Sequence, residues 1–163
     1  MSGFTPYEGM AYGQPMVISE GNLQIDGGYY CNMIDSFSSS GSTRGAAILI
    51  DGGTAVINGG RYAGTACGIA VRNDAQLTVN NGYIGSWDNG LYIGDNASAV
   101  IHDGEFDRYE KTSSSSKSQN CAVMMNSTGD LTIYGGSFYG AKQGLFLQSA
   151  GQVTIWNGSF KSR

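Results

Sequence analysis

The sequence is poor in charge. Asp, Glu, Lys and Arg make up 13% of its 163 residues, about half the usual share. The balance is 13 acids against 9 bases, for a net charge of −4. No basic face is on offer to neutralise phosphates, which argues against a nucleic-acid partner. So few acids also exclude the dense, regular carboxylates of a DNA mimic. Proline occurs only twice, which excludes collagen and Pro-rich linkers. The cysteines Cys31, Cys67 and Cys121 form no C-x-x-C pair, so neither a disulfide framework nor a zinc site is expected. His102 is the single histidine. With no second His or partnered Cys it makes a poor metal ligand, and no metal or cofactor is expected. No run of about 18 apolar residues exists, so no membrane-spanning helix is expected. The first ten residues lack the basic stretch and apolar run of a secretory leader. The compartment stays open between cytoplasm, cell surface and virion. No segment carries a sustained apolar period of about 3.6, which argues against helices.

Glycine and repetition fill the space those absences leave. Gly occupies 26 positions, roughly twice the usual share. One eight-residue phrase occurs six times: LQIDGGYY (23–30), AVINGGRY (55–62), LTVNNGYI (77–84), AVIHDGEF (99–106), LTIYGGSF (131–138) and VTIWNGSF (153–160). The third residues, Ile25, Ile57, Val79, Ile101, Ile133 and Ile155, are spaced by 32, 22, 22, 32 and 22. The period is therefore 22, with ten extra residues in two of the repeats. Ile25 and Ile101 lie 76 residues apart, as do Ile57 and Ile133, which suggests an older three-unit duplication. The sixth position is always glycine, and the fifth is Gly, Asn or Asp. These residue types tolerate positive φ, so a left-handed bend is expected over the fifth and sixth positions. The first, third and eighth positions are apolar, the pattern of a strand broken by a tight bend.

A second strand precedes each phrase: PMVIS (15–19), AAILI (46–50), GIAVR (68–72), GLYIG (90–94), AVMMN (122–126) and GLFLQ (144–148). A constant spacing makes Ala47/Leu49, Ile69/Val71, Leu91/Ile93, Val123/Met125 and Leu145/Leu147 its inward pairs. A 22-residue unit of short strands cannot bury its apolar side chains alone, but stacked units can, at ~4.8 Å per unit. The reading is all-β: a right-handed parallel β-helix (solenoid) of six rungs of 22 residues, two with ten-residue insertions. Residues 15–163 form the single domain. Residues 1–14, with Phe4, Tyr7, Met10 and Tyr12, are expected to be an N-terminal cap or arm.

The phrase [LV]-T-[IV]-x-[GN]-G-x-F resembles the right-handed parallel β-helix repeats of the pectate-lyase-like superfamily, most closely those of bacterial surface proteins and phage tail proteins. The likeness covers about residues 15–160. It implies a β-helix that is either an adhesin-like module, often threefold, or a polysaccharide lyase or glycoside hydrolase.

Four features are candidates for function. Both insertions are Ser-rich, 31–44 and 107–120, and fall in the same turn of the repeat. Between and within them Trp87, Asp88, Tyr109 and Glu110 would line a groove in which a sugar ring stacks on an aromatic while carboxylates accept its hydroxyls. The fourth phrase position points outward and ends in the ladder His102, Tyr134 and Trp156, a second possible ligand platform. The middle of the second strand reads Met16, Ile48, Ala70, Tyr92, Met124 and Phe146, an apolar stripe on a face expected to be solvated. Such a stripe reads as a self-association interface, with a homotrimer favoured by the resemblance. Lastly, Asp88 with Glu110, or Asp103 with Glu105 and Asp107, are the carboxylates from which an active site would be made. The Asn-Thr-Asp, Asp-Asp and Gly-His-Gly signatures of the hydrolases are absent, as is the Arg-x-Pro-x-x-Arg signature of the lyases. The second phrase position, with Thr78, Thr132 and Thr154, makes only half the Thr array of an ice-binding face. The leading reading is a non-catalytic module that self-associates and presents a groove or face to a glycan or surface partner. The alternative is a polysaccharide-degrading enzyme.

Overall fold

Alternating apolar and polar residues on either side of a glycine bend should give two short strands per phrase, and the strand ahead of the phrase makes a third. The computed structural model describes residues 16–18 (by backbone), 20–32, 45–108 and 121–162. The expected cap over 1–14, most of both insertions, and Tyr109 and Glu110 lie outside the described residues. Among the described residues every regular element is a strand.

The strands assemble into three sheets. Sheet A holds β1 (Met16–Ile18), β4 (Ala46–Asp51), β7 (Cys67–Arg72), β10 (Asn89–Asp95), β13 (Cys121–Ser127) and β16 (Gln143–Ser149). Sheet B holds β2 (Asn22–Ile25), β5 (Thr54–Ile57), β8 (Gln76–Val79), β11 (Ser98–Ile101), β14 (Leu131–Ile133) and β17 (Val153–Ile155). Sheet C holds β3 (Tyr29–Asn32), β6 (Arg61–Gly64), β9 (Tyr83–Ser86), β12 (Glu105–Arg108), β15 (Ser137–Gly140) and β18 (Ser159–Ser162). Neighbours in each sheet are parallel and come from successive repeats, as in β5 with β8 or β12 with β15. Three consecutive strands, one per sheet, thus make one rung, and stacked rungs make a parallel β-helix.

The register holds the phrase columns in line. Ile25 pairs with Ile57, Ile57 with Val79, Val79 with Ile101, Ile101 with Ile133 and Ile133 with Ile155. These residues and the first and eighth phrase positions fill the interior. Tyr62, Ile84, Phe106 and Phe138 are fully buried there. Phe106, Phe138 and Phe160 stack at 4.9 and 4.6 Å between centroids, and Tyr30 stacks on Tyr62 at 5.2 Å.

Two expectations need correction. Positive φ falls on the sixth phrase position alone, from 104° at Gly60 to 148° at Gly158, and not on the fifth. The fifth residue acts through its side chain instead. Asn81, Asp103 and Asn157 each accept the N–H of the following glycine at 2.7–2.8 Å. At two of the three fifth-position glycines a side chain is crowded: a Cβ would stand 3.0 Å from the Asp26 carbonyl oxygen on Gly59 and 2.8 Å from that of His102 on Gly135, whereas Gly27 has open space.

The second correction concerns the phase of sheet A. Ile48 pairs with Ile69 and Ile50 with Val71, so Ile48 and Ile50 face the core and Leu49 faces outward beside Ala70. The link after β4 is Gly52–Gly53, both at positive φ, whereas the link after β7 runs Asn73–Ala75. One residue fewer in a link turns the strand before it over.

Candidate functional site

The fourth phrase position forms one outward column along sheet B, and its two halves differ in chemistry. At the start, Gln24 and Asn58 both donate to Asp26 Oδ1, at 2.8 and 2.7 Å, and Asn80 donates to Asn58 Oδ1 at 2.7 Å. The bond from Asn58 first, then that from Gln24, holds the Asp26 carboxyl below the usual carboxylate range. This half is an amide ladder whose polar groups are used on one another.

From His102 onward the column is aromatic. His102 stacks on Tyr134 at 5.0 Å with planes 4° apart, and Tyr134 on Trp156 at 6.5 Å with planes 3° apart. Parallel rings at these spacings cover one another's faces and turn their edges to solvent. Trp156 is the last ring of the column and is 72% exposed, against 47% for Tyr134.

Beside these rings runs an open groove of about 260 Å³, lined by Asp130, Thr132, Tyr134, Gln152, Thr154 and Trp156. Its floor is the second phrase position, where Thr132 pairs with Thr154 across the ladder. Its far wall is the residue ahead of the phrase, where Asp130 accepts the Gln152 N–H at 2.7 Å. The Asp130 N–H in turn donates to Ser98 Oγ at 3.0 Å. Asp130, Gln152 and the two threonines were not among the expected site residues. The signal was available, because the position before the phrase is polar in every repeat: Asn22, Thr54, Gln76, Ser98, Asp130 and Gln152.

Trp87 and Asp88 lie elsewhere, in the link from β9 to β10, and the structure does not bring them to the ladder. Both are half-buried. Arg108 Nε donates to the Trp87 carbonyl at 2.8 Å, and the Asp88 N–H donates to Ser86 Oγ at 3.0 Å. The expected partners Tyr109 and Glu110 fall outside the described residues, so this groove has no described second wall. Of the other candidate carboxylates, Glu105 is exposed at the start of β12, and the remaining two make hydrogen bonds within the fold. Asp103 accepts the bend N–H, and Asp107 is buried and accepts the Tyr83 hydroxyl at 3.3 Å. Among the described residues no three His, Cys, Asp or Glu side chains converge as a metal set.

The expected interface stripe is corrected in two ways. Ile48 is fully buried in the core, and Met16 pairs with Ile48 rather than with the outward column. The outward column is Leu49, Ala70, Tyr92, Met124 and Phe146. It is not open either: Leu49, Ala70 and Met124 are buried, and Tyr92 and Phe146 half-buried. Leu49 and Ala70 join Ala46 and Cys67 in a second hydrophobic cluster, with Ala66 and Tyr92 packed against it.

Burial on sheet A also decides thiol chemistry. Burial pushes the Cys67 thiol far up and the Cys121 thiol up to about 12. The thiolate is the nucleophile, so both thiols should be inert in the folded protein. Half-buried Cys31 should react first with a disulfide reagent such as DTNB. The expected titration is one fast thiol in buffer and three in denaturant. Three fast thiols in buffer would contradict the burial of Cys67 and Cys121.

No protein-family model matches the chain, and no curated protein or solved structure matches it.

Proposed function

We propose that the chain is a non-catalytic, self-associating binding module, akin to the pectate-lyase-like β-helices of surface and tail proteins, that holds a glycan on the outer face of sheet B. The proposed architecture is a right-handed parallel β-helix of six 22-residue rungs. Parallel strands joined by a crossover in one direction are right-handed in about 98% of cases, which supports the hand.

The observation that carries the glycan reading is the groove beside the ladder. A pyranose lays its C–H face on an aromatic ring and directs its hydroxyls sideways. Trp156 offers the ring, while Asp130, Gln152, Thr132 and Thr154 offer acceptors and donors within the same groove. The lining contains a carboxylate and no cationic side chain, which favours neutral or amino sugars over acidic ones.

A panel of immobilised glycans, followed by calorimetry on any hit, tests this. Trp156→Ala should weaken binding at least tenfold, about 1.4 kcal/mol, and Asp130→Asn should weaken it as well. Trp87→Ala should leave affinity unchanged. Because Trp156 is exposed, its truncation should leave the fold intact. A bound glycan indifferent to both Trp156 and Asp130 would remove the groove assignment. Release of oligosaccharides over time would replace the binding module with an enzyme.

A further inference from the structure

The chain holds four Asn-Gly pairs: Asn58-Gly59, Asn81-Gly82, Asn89-Gly90 and Asn157-Gly158. In such a pair the glycine nitrogen, unshielded by a side chain, can close a five-membered ring on the asparagine carboxamide carbon. The structure puts the four carboxamides to different uses. Asn58 spends both ends of its amide in the sheet B ladder, donating to Asp26 Oδ1 and accepting from Asn80, each at 2.7 Å. Asn89 is buried, and its Oδ1 accepts the Cys121 N–H at 3.3 Å. Both are turned to a neighbouring rung.

Asn81 and Asn157 are turned the other way. Each is exposed at the fifth phrase position and accepts the N–H of its own following glycine, at 2.7 and 2.8 Å. A C=O bond is about 1.2 Å long, so that nitrogen stands within about 4 Å of Cγ. A near-attack arrangement needs roughly 3–3.5 Å. The flanks hold each bend in place. The Asn80 and Tyr83 N–H groups donate to the Ile57 and Gly60 carbonyls at 2.8 and 2.9 Å, and those of Trp156 and Ser159 to Ile133 and Gly136 at 2.8 and 2.9 Å. The glycine N–H between them is turned to the asparagine rather than to the ladder, so ring closure costs no bond between rungs.

We propose that Asn81 and Asn157 are self-modification sites, at which the bend drives deamidation through a succinimide with water as the only co-reactant. The glycine nitrogen gives its proton to solvent and bonds to Cγ, the Cγ–Nδ2 bond breaks, and ammonia leaves. One water then opens the ring. Opening at Cγ gives aspartate, and opening at the backbone carbonyl gives isoaspartate. The fold already displays the first product. Asp103 occupies the same phrase position and accepts the Gly104 N–H at 2.8 Å, so an aspartate keeps the bend and adds one negative charge to it. Isoaspartate lengthens the backbone of the bend by one atom and spoils its register with the rungs on either side. The proposal rests on the bends and not on the glycan reading.

Peptide mapping of the folded chain, held in mildly alkaline buffer, reads each conversion as a single-dalton mass gain. Asn81 and Asn157 should convert at least about tenfold faster than Asn58 and Asn89, the ratio given by ~1.4 kcal/mol of barrier. In denaturant, where bends and ladder are lost, the four pairs should convert at similar rates. Asn81→Asp makes the first product directly and should melt where the unsubstituted chain does. Equal rates at the four sites of the folded chain, or a ranking that persists in denaturant, would overturn the proposal, because the bend would then not select the sites. A marked loss of stability in Asn81→Asp would overturn the claim that the bend keeps its aspartate product.

Discussion

Gly64→Ala should lower the melting temperature by roughly 10 °C, the size of shift that follows from a loss of about 3–4 kcal/mol in a chain of this length. A Cβ at this position would stand 1.8 Å from the Cys67 carbonyl oxygen and 2.6 Å from that of Gly45. Both obstacles are backbone, so no side chain can rotate away and the link between β6 and β7 must open. That link is stacked between others. Gly64 pairs with Asn32 on one side and Ser86 on the other, so a shift here disturbs three rungs. The same column accepts a side chain where the link is shaped around it. Ser86 Oγ donates to the Asn89 carbonyl at 2.7 Å and accepts the Asp88 N–H at 3.0 Å. Gly27→Ala is the matched comparison. Nothing lies within 4 Å of its Cβ position and its φ is not left-handed. Gly27→Ala should be neutral or stabilise by about 0.4–1 kcal/mol through the unfolded chain. Thermal unfolding followed by circular dichroism checks both. Equal losses for the two variants would mean that backbone freedom, not the crowded link, governs these glycines.

The solenoid was legible because each phrase column repeats one physical role. Ile25, Ile57 and their counterparts recur at a fixed spacing, and a residue lost within a phrase would turn its strand inside out. Legibility failed in sheet A, where the joining link varies. Ile50 precedes Ile57 by seven residues, whereas Val71 precedes Val79 by eight. The long insertion ahead of β4 hides that difference, so a constant spacing placed Ile48 on the wrong face. The stripe carries a second lesson. Alternation tells which side of a strand a residue takes, not whether that side is covered, and Leu49 and Ala70 face outward yet are buried. The aromatic ladder was readable from spacing alone. Which rings stay open was not: Tyr134 stacks between His102 and Trp156 and is 47% exposed, while Trp156 is 72% exposed. The groove wall of Asp130 and Gln152 escaped because the repeat was read from its first apolar residue, one place too late.

Phe138→Ala should destabilise more than any single truncation at the open end. Its ring is fully buried between Phe106 at 4.9 Å and Phe160 at 4.6 Å. Removing a buried Phe costs about 3–5 kcal/mol from lost transfer and the cavity left behind. Phe160→Ala removes a ring that is 38% exposed with one stacking neighbour, so about 1–2 kcal/mol is expected. The position of the damage matters as much as its size. In a solenoid each unit is stabilised by its own contacts and by its neighbours. A cavity at Phe138 weakens the coupling of the last rung to the rest, whereas loss of Phe160 trims the end. Hydrogen exchange should separate the cases. Phe138→Ala should speed amide exchange across β13 to β18 while β7 to β9 stay protected. Phe160→Ala should affect only β16 to β18. If both variants lose protection uniformly along the chain, the rungs fold as one cooperative block and the aromatic column is not what couples them.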